Sequence, residues 1–213
     1  MESQGARNKI LKKIKQALKS PLSVPFPDQV ADTPLFIPTE QELAIEFAQK
    51  FTELLGKFVY CADEGELATQ LAALIKAKKW EKIYSQESGW LDDMSEYQFD
   101  PVNSDELSSC DASITLCEHL VARTGSIVLS SQQLSGRATS VYAPIHICIG
   151  YTHQLVYDIS DSLQQFKNEL EHIPSMISYA TGPSRTADIE KTLVVGVHGP
   201  KEVYCFLVDK ITD

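Results

Sequence analysis

The stretch KFVYCADEGELATQLAALIKAKKWEKIYS, residues 57–85, decides the fold class. Residues 58–61 form a short apolar run that is typical of a buried strand, and residues 82–85 predict the next strand. Between them, Asp63 and Glu66 have the spacing of a helix-capping pair. Apolar residues then recur at helical spacing, at Leu67, Leu71, Leu74 and Ile75. This strand–helix–strand succession predicts two parallel strands joined by a right-handed crossover.

Toward the amino terminus, the sequence predicts a helix that Thr39 and Glu42 cap and that Gly56 ends. Residues 7–19 predict a lysine-rich amphipathic helix, and the prolines between positions 21 and 38 predict an extended linker. The helix fits an arm lying on its own or a neighbouring subunit better than one binding a membrane surface. We therefore expect a basic helical arm and Pro-rich linker over 1–38, and a single α/β domain over 39–213.

Toward the carboxyl terminus, strand-like runs follow one another closely, at 112–115, 126–130, 145–150, 176–180 and 202–208. An amphipathic helix is expected over 160–172 and a shorter one from about Ser184 to Thr192. Residues 86–110 are polar and predict no regular element. We expect the strands to join those of residues 57–85 in one mainly parallel sheet with helices on both faces.

Charge and cysteine content narrow the functional classes. The chain has 213 residues, 43% of them apolar, and a net charge of −10, which argues against nucleic-acid binding. No apolar run is long enough to span a bilayer, and the polar start does not resemble a signal peptide. The five cysteines are scattered, which favours reduced thiols in the cytoplasm.

The segment TGPSRTADIE, residues 181–190, is the strongest candidate for a ligand site. Gly182 turns the chain after an expected strand, and the residue types of Ser184, Thr186 and Asp188 favour the start of a helix. A helix N-terminus at the carboxyl end of a strand attracts anions. Since Arg185 is not needed for capping, we expect it to bind a carboxylate or phosphate. The alternative is a well-capped turn without a ligand.

Four other positions are candidates for the same site. Thr124 and Gly125 form a turn before an expected buried strand, Arg137 lies in a polar loop, and His146 opens another strand. We expect Arg137 and Arg185 to face one crevice. A structural, hydrogen-bonded role is the alternative for His146.

Several sequence motifs of redox enzymes and hydrolases are missing. The chain contains no Cys-x-x-Cys pair, dinucleotide-binding fingerprint, Walker A loop or nucleophile elbow. We therefore expect no metal, flavin or iron–sulfur cofactor in this chain. A redox enzyme working alone is disfavoured.

The strings GPSRTADIE, residues 182–190, and LVVGVHGP, residues 193–200, closely resemble the C-terminal signature of the lactate-utilisation protein C family, also called the YkgG or LUD-domain family. Thr124-Gly125, Gly136-Arg137 and Pro144-Ile145-His146-Ile147 match it in order and spacing. The resemblance implies a Rossmann-like sheet similar to the NagB/RpiA group of sugar-phosphate isomerases and coenzyme A transferases. Two departures are Arg123, where many relatives have an acid, and Leu116, where a glycine is common.

Two functions remain open. The resemblance implies a subunit of an L-lactate dehydrogenase complex that converts lactate to pyruvate, with iron–sulfur clusters on two partner proteins. In this role a cleft would bind a small carboxylate or organise the partners, and the chain could also assemble with itself. The alternative is a standalone enzyme on a phosphorylated or acyl substrate, because sugar-phosphate isomerisation needs only an acid, a base and anion contacts. Fold analogy alone does not separate the two.

Overall fold

The computed structural model describes residues 2–17, 19, 40–101, 104–169, 172–189 and 192–209. The chain divides into two units, Met1–Pro38 and Thr39–Asp213. The first unit contains helix α1, Glu2–Ala17, on which the apolar residues Ile10, Leu11 and Ile14 are exposed. The expected linker over 20–38 and the expected cap Thr39 lie outside the described residues.

The second unit holds the remaining elements. In chain order these are α2 (Leu43–Glu53), β1 (Lys57–Cys61), α3 (Glu64–Lys78), β2 (Ile83–Tyr84), α4 (Ser88–Ser95), β3 (Ala112–Leu116), β4 (His119–Val121), β5 (Ser126–Ser130), α5 (Thr139–Tyr142), β6 (Ile145–Tyr151), β7 (Leu155–Val156), α6 (Ile159–Glu169), β8 (Ile177–Ala180), β9 (Arg185–Ile189), β10 (Thr192–Val195) and β11 (Glu202–Val208). None of the described helices combines the length and the apolar composition needed to cross a membrane.

A five-stranded parallel sheet forms the centre of this unit, in the order β1-β11-β6-β3-β2. Strand β11 pairs in parallel with β1 on one side and with β6 on the other. Because all five strands point the same way, their amino ends meet at one edge of the sheet and their carboxyl ends at the opposite edge. The mainly parallel sheet and the α/β class expected from the sequence are confirmed.

The two faces of the central sheet carry separate apolar cores. On one face, α3 and α4 pack their buried side chains, such as Leu67 and Trp90, against Ile147 and Phe206. On the other face, Phe47 and Phe51 of α2 pack with Cys148, Cys205 and residues of β4 and β5. Helices therefore pack on both faces of the central sheet, and on the face of α2 a second sheet packs beside the helix.

The expectation of one continuous sheet is wrong. Strands β4, β5, β7 and β8 form a separate sheet in the order β7-β4-β5-β8, in which β5 is antiparallel to both neighbours. Only four residues connect β4 to β5, and a parallel pair needs a crossover of a dozen or more. The expected strands 126–130 and 176–180 exist, but they belong to this second sheet. The short strand β4 was not expected, and without it the antiparallel turn at Gly125 was not recognised.

The helix expected from Ser184 to Thr192 is also wrong. Strands β9 and β10 form an antiparallel hairpin there, with Arg185 opposite Val195 and Thr186 opposite Val194. The first strand of this hairpin follows a turn whose hydroxyl residues are typical of a helix N-cap. The residues after the turn are rich in Thr, Ile and Val, however, and these favour strands. The anion site expected at a helix N-terminus therefore has no helix behind it.

Of the helices α3 and α4, which pack on the face opposite α2, one was predicted correctly and one was not. The predicted cap of α3 is confirmed, since the Asp63 carboxylate accepts a hydrogen bond from the Glu66 N–H at 2.8 Å. The Glu66 carboxylate in turn accepts from the Ala62 N–H at 2.8 Å, which completes the capping box. Helix α4, in contrast, lies in the segment 86–110 that was expected to be irregular. Its buried residues Trp90 and Met94 anchor it.

Candidate functional site

Thr124, Gly125 and Gly182 lie together where the second sheet meets the end of α2. A side chain at Gly125, whose φ is +60°, would lie 2.5 Å from the backbone nitrogen of Phe51. At Gly182, with φ of +77°, it would lie 2.4 Å from the Leu54 carbonyl oxygen. Both glycines thus allow close approach of two backbones. Ligand binding by these residues stays a prediction.

A row of hydroxyl groups joins the same two turns. The Thr124 and Ser126 hydroxyl oxygens are 2.8 Å apart. Ser126 and Thr181 are also 2.8 Å apart. These hydrogen bonds tie the turn before β5 to the turn after β8, so Thr124 has a structural role in the second sheet.

Ser184 and its neighbours lie at the base of the β9–β10 hairpin. The Ser184 N–H donates to the Pro200 carbonyl at 2.9 Å, and its own carbonyl accepts from the Gly196 N–H at 2.8 Å. Arg185, Thr186 and Asp188 follow in β9, and the Arg185 side chain is exposed. Ser184 therefore closes the loop 196–200 at both ends, and it does so through its backbone.

The structure does not bring Arg137 to this place. Its guanidinium donates to the Ser175 hydroxyl, just before β8 begins. Because Ile177 pairs with Ser130 and Ala180 with Ile127, Ser175 lies at the end of the second sheet opposite Gly182. Arg137 thus contacts the chain before β8, whereas Arg185 lies after its other end, and the two side chains do not share a crevice.

His146 is buried in β6, on the face that packs against α2 and the second sheet. Its Nε2 is 2.9 Å from the Thr115 hydroxyl, while no described group makes a hydrogen bond with its Nδ1. Burial lowers the pKa of His146 to about 4, so the ring is neutral at pH 7. A neutral ring with one hydrogen bond matches the structural alternative for this residue.

The largest difference from expectation is a cavity of about 460 Å³ at the amino ends of β6 and β11. Residues on both chain segments that enter these strands line it, among them Tyr142, Pro144, His198 and Lys201. No residue expected in the site lines it, although Ser184 holds its loop. Strand periodicity could not find this cavity, but the glycine-flanked histidine of the string GVHG, residues 196–199, could have signalled it.

A second cavity, of about 240 Å³, lies at the opposite edge of the central sheet. Glu64 follows β1 there, Tyr151 ends β6, and Asp93 and Glu96 come from α4 and its end. Three carboxylates border it, so it does not favour an anion. The carboxyl edge, where ligands of open α/β sheets commonly bind, is thus the less suitable edge for lactate or phosphate here.

Comparison with known proteins agrees with this fold and with the sequence signature. The LUD domain family profile matches residues 6–208. The chain belongs to the LUD domain family.

Among its relatives are proteins called lactate utilization protein C. That of Bacillus velezensis is 36% identical over 110 residues, which cover 50% of this chain and 46% of the relative. That of Geobacillus thermodenitrificans is 27% identical over 176 residues, 81% of this chain and 71% of the relative. An uncharacterized Neisseria meningitidis protein is 29% identical over 108 residues, 51% and 46% of the two chains. The B. velezensis and N. meningitidis matches span less than half of each relative.

One solved structure shares the fold of this LUD domain. It is the crystal structure of a DUF162 family protein from Deinococcus radiodurans, with a TM-score of 0.57 and 19% sequence identity. The similarity covers 78% of this chain and 96% of that one. At this identity the similarity supports the architecture and nothing about the site.

The departure at Arg123 has a local explanation in this LUD domain. Its guanidinium donates two hydrogen bonds to the Asp158 carboxylate, at 2.7 and 3.1 Å. This pairing lowers the pKa of Asp158 and raises that of Arg123. The reversed charge therefore has an acidic partner at the start of α6.

The cysteines of this LUD domain are poor candidates for cluster ligands. All five are buried and unbridged. Burial raises the pKa of Cys61 to about 11 and also raises those of Cys110 and Cys148, while a hydrogen bond with Cys148 and burial raise that of Cys117. Metals bind the thiolate, which these environments disfavour. Among the described residues, no group of three or more His, Cys, Asp or Glu side chains is arranged to hold a metal ion.

Proposed function

We propose that this LUD domain serves L-lactate utilisation as a subunit that works with iron–sulfur partner proteins. The observation that carries the proposal is its relationship to proteins named lactate utilization protein C, at 33–38% identity over about half of the chain. In this role the chain contributes to the conversion of lactate to pyruvate, and the partners hold the clusters that accept the electrons.

The chemistry of the thiols supports a division of labour between subunits. Oxidation of lactate releases two electrons, so a redox centre must lie within the complex. Iron–sulfur clusters are held by cysteine thiolates, whereas the cysteines of this chain are buried and four have raised pKa values. Free, unbridged cysteines also fit a reducing compartment, and we place this role in the cytoplasm.

Growth on lactate tests the proposal. Deletion of the gene in the source organism should abolish growth on L-lactate as sole carbon source and leave growth on glucose unchanged. A plasmid copy of the wild-type gene should restore it. Unimpaired growth of the deletion strain on L-lactate would contradict the proposal.

A reconstitution separates a subunit from a standalone enzyme. The purified chain alone should not reduce an electron-accepting dye with L-lactate, and addition of iron–sulfur proteins that co-purify with it should produce lactate-dependent dye reduction. Omission of this chain from the mixture is the control and should remove most of the activity. Equal activity without it would contradict a role in the complex.

A further inference from the structure

The cavity at the amino ends of β6 and β11 combines an apolar wall with a polar loop. Tyr142, Ala143 and Pro144 lead into β6 on one side, and Val197, His198 and Lys201 precede β11 on the other. Tyr142 is 74% exposed, and Val141 and Val197, which also line the cavity, are 43% and 44% exposed, so the wall presents a group of apolar side chains rather than a single one. A volume of about 460 Å³ lies within the range of small-molecule sites.

The described residues on the polar side of the cavity present hydrogen-bond donors and no acid. In the described part of the chain, the side chains of His198 and Lys201 make no hydrogen bond or ion pair, and no carboxylate lines the cavity. Within those same residues, no protein group accepts the backbone N–H of Val197, His198 or Gly199. Consecutive N–H groups in a tight loop form an anion-binding concavity, and an ammonium beside them strengthens it.

The loop that carries these donors is held in one shape. Ser184 bonds to Gly196 at its start and to Pro200 at its end, and the Lys201 N–H donates to the Pro144 carbonyl at 2.8 Å. Gly196 has φ of +79°, and a side chain there would lie 2.2 Å from the Lys201 Cγ. The aliphatic part of Lys201 therefore lies directly over Gly196, which fixes where its side chain leaves the backbone.

Other lysines at the same edge are neutralised. Lys57 and Lys78 both bind the Glu202 carboxylate, and the Lys78 ammonium is 3.3 Å from it. Lys201 is adjacent to Glu202 in sequence, but it precedes β11, and the lysines that bind the Glu202 carboxylate are Lys57 and Lys78. The protein thus has a net charge of −10 and yet leaves this ammonium without a counter-charge among the described residues.

From this geometry we infer that the cavity is a binding site for a carboxylate attached to a short apolar body, such as a 2-oxo acid. The carboxylate binds the loop N–H groups and Lys201, and the apolar body packs against Ala143, Pro144 and Val197. The choice of a 2-oxo acid rests on the proposed role in lactate utilisation, whereas the site itself rests on the cavity. None of the described residues that line it is among the site residues expected from the sequence.

Titration of the whole chain with defined acids tests the site. We expect 4-methyl-2-oxopentanoate to shift the amide NMR signals of Val197, His198 and Gly199. It should bind about tenfold more tightly than pyruvate, because its longer aliphatic chain buries more apolar surface. Inorganic phosphate should bind more weakly than either acid. Tighter binding of phosphate, or signals at 197–199 that do not move, would overturn the inference.

Two lysine variants locate the charge that matters. Lys201→Ala should weaken binding of 4-methyl-2-oxopentanoate about tenfold with an unchanged melting temperature, and Lys201→Arg should recover part of it. Lys78→Ala removes a lysine at the same edge that is already bound to Glu202, so it should bind as the wild type does. Equal weakening by the two alanine variants would mean a general charge effect and would overturn the site. If the acid binds but the deletion strain grows normally on L-lactate, the binding site is supported and the role in lactate utilisation is refuted.

Discussion

The two edges of the central sheet border cavities of opposite character. At the amino edge, Lys201 lies beside the loop 196–200, in which the N–H groups of Val197, His198 and Gly199 have no acceptor among the described residues. At the carboxyl edge, Glu64, Asp93 and Glu96 surround a smaller cavity lined by aromatic rings. The same parallel strands connect both edges, so the difference arises from the segments that enter and leave them.

The difference between the two edges explains why the carboxyl edge, the common ligand site of parallel sheets, does not favour an anion in this protein. Ligands of parallel sheets bind at the carboxyl edge partly because helix N-termini there present unpaired N–H groups. Here α3 begins at that edge, but Asp63 and Glu66 accept hydrogen bonds at its first turn. Glu64 adds another negative charge. The helix thus satisfies its own N-terminus, and an anion is better accommodated at the opposite edge.

The edges also differ in backbone constraint, and two glycine substitutions would sharpen the contrast. Gly182→Ala should lower the free energy of unfolding by about 3 kcal/mol, because it adds both left-handed strain and a contact with the Leu54 carbonyl. Gly89→Ala, in α4 near the carboxyl edge, should raise it by about 0.5–1 kcal/mol, since nothing lies within 4 Å of the added carbon. Urea denaturation measures both. Similar values for the two variants would remove this part of the contrast.

A pH titration of stability distinguishes the buried histidine near the amino edge. Burial lowers the pKa of His146 to about 4, below the value of about 6.5 in the unfolded chain. The unfolded state therefore binds the proton first, and stability present above pH 6.5 is lost as the pH falls toward 4. Between pH 7 and 5 we expect a loss of about 2 kcal/mol.

The His146→Gln variant should lose this pH dependence, and urea midpoints at pH 7, 6 and 5 would record it. His153→Gln, which removes an exposed histidine after β6 at the carboxyl edge, is the matched control and should keep the wild-type slope. An unchanged slope in His146→Gln would assign the acid sensitivity to another group.

The smallest expected effect concerns Glu202, which neutralises Lys57 and Lys78 at the amino edge. Burial alone would raise its pKa, but hydrogen bonds from Lys57, Tyr204 and Lys78 lower it to about 2. The stability that ionised Glu202 adds to the fold is present above pH 4.5, the ordinary pKa of a glutamate, and is lost as the pH falls from there toward 2. Glu202→Gln should therefore cost about 1 kcal/mol at pH 7 and approach nothing near pH 2.

Glu96→Gln at the carboxyl edge is the comparison for Glu202→Gln. Glu96 is exposed beside other acids, so its substitution should change the free energy of unfolding by less than about 0.5 kcal/mol at pH 7. Thermal denaturation of both variants at pH 7 and 3 would measure the difference. A larger loss in Glu96→Gln would mean that the acidic edge holds ion pairs of its own.

Elements whose signal is local could be predicted from the sequence. The α3 capping box, the strands β1, β6 and β11 and the amphipathic helix α6 all follow from spacing within a few residues. Pairing is not local. The three-residue strand β4 is too short to show a period, yet it diverts β5 and β8 into a second sheet.

The site was predicted less well, for a related reason. The segment 181–190 has the residue types of a helix start, but a contact with the distant Pro200 favours a hairpin there. The sequence did not predict the cavity whose loop Ser184 holds, although His198, which borders it, lies in the family signature, and Lys201 follows that signature directly. The cavity forms where the segments 141–144 and 196–201 come together, and a pattern within a short stretch of sequence does not show which distant segments will be neighbours.

The position of β11 has a consequence for how the protein is made. This strand lies between β1 and β6, and its Tyr204 is 147 positions from Lys57 of β1. On the ribosome, at about 5–20 residues per second, roughly 7 to 30 seconds pass between the synthesis of β1 and that of its neighbour. Until then β1 and β6 both expose unpaired backbone edges to other nascent chains. A chaperone that shields strand edges during synthesis should therefore matter more to the yield of this protein than to its stability once folded.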